Sequence, residues 1–216
     1  MSGRDEIPKA LNEMTIDEVF RFHIETPSAW VTCALGILRA AFVVYSRMRT
    51  NYKRVFRGLK NGKQPSTRQK TGQFYDRLPQ SYMLLVGMAF ENLIKGLVVQ
   101  KEALVCRDGV MPRKLKTHNL VRLAEDVNVP LSEQEASKLA NMSKLVEWQG
   151  KYASPTTAAP LREPFPFMHY TVCWESPHVC VELFKKILKE YKPDDASFKF
   201  LANLLDRECP PDDIFT

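Results

Sequence analysis

Three groups of residues in this chain have types and spacings that could do chemistry. Glu91 and Lys95 stand four apart, acid before base, the favoured orientation for an intrahelical ion pair. They sit amid Phe90, Leu93 and Ile94, so the pair is either a solvated surface bridge or a semi-buried tie between neighbouring helices. His118 follows a loop broken by Asp108-Gly109 and Met111-Pro112, and falls at a helix start, where an imidazole can orient local backbone groups or carry protons. The third group is a basic run. Between Arg47 and Arg77 lie ten basic residues and one acid, Asp76, interleaved with Tyr52, Phe56, Phe74 and Tyr75. Cations contact phosphates and aromatic rings stack on bases, which suits single-stranded nucleic acid. A solvated helix end followed by a polar loop has the same composition.

Other chemistries find less support. His169, Cys173, His178 and Cys180 could be imagined around zinc, but their spacing matches no common finger and buried thiols account for them more simply. Gly-rich phosphate loops and nucleophile elbows are missing from the sequence. Asp194-Asp195 and Pro211-Asp212-Asp213 read as a helix cap and a tail. The expectation is therefore no metal and no cofactor.

The elements that must position these residues are helical. Residues 15–24 predict a short lead-in helix with Asp17 and Glu18 in its first turn. Thr26-Pro27 opens a long helix, because Thr can cap free amides and Pro suits the first turn. Trp30, Ala34, Ile37, Leu38, Ala41, Phe42 and Tyr45 then form one apolar stripe, and the helix turns basic before ending near Gly58. Cations there also complement the helix dipole. A second long helix, from Pro79 or Ser81 to about Leu104, is apolar around most of its circumference and predicts the central core element. Short helices follow over 118–127 and, after the capping box Ser132-x-x-Glu135, to about Trp148. Ser176-Pro177 opens another, to about Tyr191, and Asp195 caps the last. Strand signals and internal repeats are absent.

The expected organisation is a lead-in over 1–25, a helical domain over 26–191, and a C-terminal helix and tail over 192–216. Inside the domain, 59–78 reads as a mobile basic loop and 153–175 as a Pro-rich crossing segment. Hydrophobic content of 44% and charge of 26% are those of an ordinary soluble domain with a real core. The basic run outweighs the whole chain's net charge of +6, so the remainder is net acidic and attraction for polyanions is concentrated in one stretch. Five scattered cysteines without a Cys-x-x-Cys pair, and a polar first segment unlike a signal peptide, predict a reducing, cytoplasmic location. The longest apolar stretch, Trp30 to Tyr45, falls short of the roughly 20 residues of a membrane span and reads as a buried helix.

Glu91 with Lys95, then His118-Asn119-Leu120, then Trp148-Gln149-Gly150-Lys151-Tyr152 occur in an order that resembles the HEPN domain, a family of small α-helical nucleotide-binding proteins. The family pattern is an acid-then-Lys helix, a His-Asp-Leu-like helix start and an Arg-Tyr-Pro-like segment. Here Asn119, Lys151 and Ala153 depart from it. The resemblance covers roughly residues 27–191 and is strongest between 82 and 155. It implies an all-α, up-and-down bundle of four to five main helices, with the long basic loop between the first two long ones. Glu91, Lys95, His118, Trp148 and Tyr152 would then be structural markers of the fold.

The resemblance also implies function. It points to binding of RNA or a nucleotide, to a homodimer, and to a setting of bacterial defence or toxin–antitoxin systems. The contact surface would centre on Arg47, Arg49, Lys53, Arg54, Arg57, Lys60 and Lys63. Many HEPN ribonucleases pair an Arg with a His after four to six intervening residues and cut RNA without metal, His exchanging protons while Arg stabilises charge on phosphate. Arg113 with His118, and Arg162 with His169, have that spacing here, but neither lies in the last core helix, which from Ser176 holds no Arg before Arg207. Catalysis, if present, falls to Arg113 and His118. The alternative is a non-catalytic module that dimerises or docks on a protein partner, with Phe165, Phe167 and Trp174 at the interface.

Overall fold

Short polar signatures start most of the helices. Thr15 accepts from the Glu18 N–H while the Glu18 carboxylate accepts from the Thr15 N–H, a capping box that opens α1 (Ile16–Glu25). Pro27 then begins α2 (Pro27–Lys60), and the Thr26 carbonyl accepts from the Ala29 N–H at 3.0 Å. The computed structural model describes residues 14–61, 78–149, 176–192 and 195–211. The remaining helices are α3 (Leu78–Glu102), α4 (Leu120–Asp126), α5 (Glu133–Lys144), α6 (Pro177–Lys189) and α7 (Asp195–Glu208). A 3-10 turn, Arg113–Lys116, precedes α4, and a π-helical turn, Leu145–Gln149, continues α5. Among the described residues the sole extended pairing is an isolated bridge between Arg107 and Val110. The protein is an all-α bundle.

The frame is the pair α2 and α3, which runs antiparallel. Tyr45 of late α2 packs on Tyr82 of early α3, with ring centroids 5.2 Å apart. At the other end Trp30 of early α2 lies against Gly96 of late α3. Gly96 is needed there: a Cβ would come within 2.6 Å of both Trp30 Cβ and the Tyr191 hydroxyl. Gly87 serves α5 in the same way, since a Cβ would meet Val146 Cγ2 at 2.8 Å. Tyr191, just past α6, donates its hydroxyl to the Leu93 carbonyl, and Gln100 Nε2 donates back to the Tyr191 carbonyl at 3.1 Å. Phe90 meets Phe184 of α6 edge to face, and Leu205 brings α7 into the same core.

α3 is buried on nearly every side, as its apolar circumference requires. α2 is not. Trp30, Ala34, Leu38, Ala41, Phe42, Tyr45 and Met48 face the core, while Cys33, Gly36, Ala40 and Val43 are exposed. The expected buried helix is thus buried along one face only. By length and composition alone, Pro27–Arg54 and Leu78–Glu102 could each cross a membrane; 33% of the apolar window of the first is buried and 78% of that of the second. The high burial of α3 is the ordinary state of a core helix.

Most of the expected basic loop, residues 62 to 77, lies outside the described residues. So does the Pro-rich segment 153–175, with Arg162, Phe165, Phe167, His169, Cys173 and Trp174.

Candidate functional site

α3 carries an apolar wall, yet Glu91 and Lys95 project from it into the interior. They are 8% and 6% exposed, the only charged residues that are buried among those described. A carboxylate or ammonium removed from water must be paired and hydrogen-bonded, or it costs several kcal/mol per ion, on the order of 3–5 when one partner is deleted. The pairing is present. Lys95 Nζ donates to Glu91 Oε1, and His118 Nδ1 lies 3.0 Å from Glu91 Oε2 and 3.2 Å from Oε1. Of the two sequence readings of Glu91 and Lys95, the semi-buried tie holds and the surface bridge does not.

The connection before α4 delivers the imidazole. Leu115, fully buried, pins the 3-10 turn to the core. Thr117 Oγ1 accepts from the Asn119 N–H at 3.1 Å, and Asn119 Oδ1 accepts from the Arg122 N–H at 3.0 Å. The Leu120 N–H donates to Ser143 Oγ at 2.9 Å, tying the start of α4 to α5. Helix capping, expected of the region around His118, belongs to Asn119; the His118 ring instead turns to Glu91. An ionised carboxylate can only accept, so this contact is a hydrogen bond when His118 Nδ1 carries the proton. The His118 side chain is 33% exposed, which makes it the outer edge of a cluster otherwise sealed from water. This arrangement can orient a proton-exchanging imidazole, and it can equally brace a loop against α3.

Arg113 faces elsewhere. It borders a groove of about 520 Å³ together with Lys114, Thr117, Arg122 and Asp126, and His118 does not line that groove. The two members of the expected catalytic pair therefore meet different surroundings despite their spacing. Lys114 closes one wall, bonded to the Glu102 carboxylate and 3.1 Å from Asp126 Oδ2. Hydrogen bonding to Glu102 and Asp126 outweighs burial and holds the Lys114 ammonium above the ordinary lysine range. Lys114, Thr117 and Arg122 were not among the expected site residues. The available signal was the density of Arg113, Lys114, Lys116 and Arg122 around His118.

The basic residues of α2 divide by burial. Arg47, Arg54 and Arg57 are exposed, whereas Arg49 and Lys53 are half-buried and engaged in contacts. Positions 47, 50, 54, 57 and 61 follow the helical repeat and are all exposed, so the three arginines share one stripe about 15 Å long. Across its 34 residues α2 contains no acid at all. The Lys60 side chain and all of Lys63 lie outside the described residues, as do the Trp148 side chain and Tyr152.

No protein-family model, curated protein or solved structure matches the chain.

Proposed function

We propose that this is a HEPN-like helical protein that binds nucleic acid or a nucleotide through the basic end of α2. One observation carries the reading: a 34-residue helix without a single acid, ending in an exposed stripe of Arg47, Arg54 and Arg57. Guanidinium groups are planar, always charged, and able to grip phosphate oxygens two at a time. A stripe of them without acids between is a path for a phosphate backbone. The buried Glu91–Lys95–His118 cluster supports the HEPN resemblance, because it gives the family-like markers a common structural purpose.

The test is the anisotropy of a labelled single-stranded RNA titrated with protein at several salt concentrations. Salt-dependent binding that disappears in the Arg54→Glu/Arg57→Glu variant is the expected result. Absence of binding at low salt refutes the proposal.

A second reading, a non-catalytic dimerisation module, draws on the exposed α2 face of Cys33, Gly36, Ala40 and Val43, the last 72% exposed. A solution mass equal to one copy removes it.

A further inference from the structure

The groove beside the 3-10 turn has no part in the α2 surface, yet it is organised around positive charge. Arg113 sits on the turn and Arg122 in the first turn of α4, both exposed. Neither guanidinium has a carboxylate partner among the described residues. Two arginines within reach of Asp126 would ordinarily be drawn to it, but Lys114 already occupies that carboxylate and also Glu102. Lys114 thus engages both acids and offsets one of their two charges, the two arginines add two further positive charges to the groove, and both forks remain for a ligand.

The frame around them is rigid. Leu115 and Leu120, both fully buried, fasten the two ends of the connection to the core. The bonds Thr117 to Asn119 and Asn119 to Arg122 fix the backbone between the two arginines. Thr117 Oγ1 uses one of its two lone pairs on the Asn119 N–H, and its own hydroxyl proton can be donated into the groove it lines. Both forks are donors only, and the hydroxyl can donate as well. The volume of about 520 Å³ falls within the range of roughly 300–1,000 Å³ typical of small-molecule clefts.

We infer that this groove is a binding site for a phosphate-ester anion, held by Arg113 and Arg122 with Thr117 donating. Arg113 then acts as an anion receptor and not as the partner of His118. The inference is independent of the α2 reading, since none of the α2 arginines lines the groove.

Calorimetric titration of the full chain with inorganic phosphate, adenosine monophosphate, adenosine and a short single-stranded RNA tests it. Wild type should bind the phosphate-bearing probes and ignore adenosine. Arg113→Gln and Arg122→Gln should each weaken binding about tenfold or more, the loss expected when a charge-assisted fork is removed. Arg113→Lys should not restore it, because the charge returns without the fork. Both sites are exposed, so unchanged melting temperatures should accompany the losses. The Arg54→Glu/Arg57→Glu variant should still bind adenosine monophosphate, which separates this site from the α2 surface. Loss confined to RNA would assign the groove to a backbone phosphate, the same chemistry from a polymeric source. Failure of wild type to bind any phosphate-bearing probe, or unchanged binding of all of them by the Arg113→Gln/Arg122→Gln variant, overturns the inference.

Discussion

His118 Nδ1 lies 3.0 Å from Glu91 Oε2, although the residues are 27 positions apart and belong to different elements. Glu91 is thereby shared between an ammonium from its own helix and an imidazole from the connection before α4. That sharing makes the cluster a tie between two pieces of backbone. It also leaves His118, alone of the three, with a ring edge toward solvent.

The buried pair should respond asymmetrically to mutation. Lys95→Ala strands the Glu91 carboxylate with only His118 and should cost about 3–5 kcal/mol in urea unfolding. Glu91→Leu combined with Lys95→Leu removes both charges and should cost distinctly less. A Lys95→Ala loss below about 1 kcal/mol would mean that water reaches the pair.

RNA cleavage, if it occurs, should depend on His118 and not on Arg113. A labelled RNA incubated with wild type and with His118→Ala decides the first point. Decay that survives the substitution removes His118 from any reaction, whereas Arg113→Gln should affect binding alone.

Two glycines of similar helical setting should behave oppositely. Gly96→Ala forces a methyl against Trp30 and Tyr191 and should destabilise by about 1–3 kcal/mol. At Gly36 an added methyl would meet nothing within 4 Å, and the residue lies exposed in mid-helix, so Gly36→Ala should stabilise by about 0.5–1 kcal/mol. Thermal melts of both variants check the pair, and equal shifts would contradict the packing.

Contact with nucleic acid should leave a countable salt signature. Each backbone phosphate contacted on a single strand contributes roughly −0.7 to the slope of log K against log salt. Arg47→Ala should therefore reduce the slope by about 0.7 without changing sequence preference. A slope that stays constant through Arg47, Arg54 and Arg57 substitutions would move the contact away from α2.

Acid should weaken the packing of α6 on α5 through Glu135. Burial raises this carboxyl, but hydrogen bonds from Lys186, at 2.6 Å, and from Ser132 outweigh it and leave the group below the usual glutamate range. A lowered folded-state value means stability that is fully present above the unfolded value, about 4.3, and lost as pH falls through the folded one. Glu135→Gln keeps the capping-box hydrogen bond and removes the charge, so its melting temperature should fall less steeply than that of wild type below that value. Parallel acid limbs would exclude Glu135 as a contributor.

Much of the frame was legible in sequence because it rests on local rules. The Thr26-Pro27 start, the Ser132-x-x-Glu135 box, the Ser176-Pro177 start and the all-round apolar α3 each depend on residues within a few positions of one another. The site was legible only in part. His118 stood out by type and place, but a helix start offers it several partners, and nothing local says that it will choose Glu91 over its own backbone. Asn119, one residue on, was the better cap by side-chain length.

By itself the sequence determined which segments are helical, that α3 must be central, and that positive charge gathers at the end of α2. Those follow from side-chain period, capping chemistry and composition, all short-range properties. Tertiary structure alone decided that Glu91 and Lys95 are buried, that His118 closes on them, and that Arg113 borders a groove with Arg122 and not with His118. Each of these depends on how distant segments pack, and burial is what changes a solvated charge into one that must find a partner.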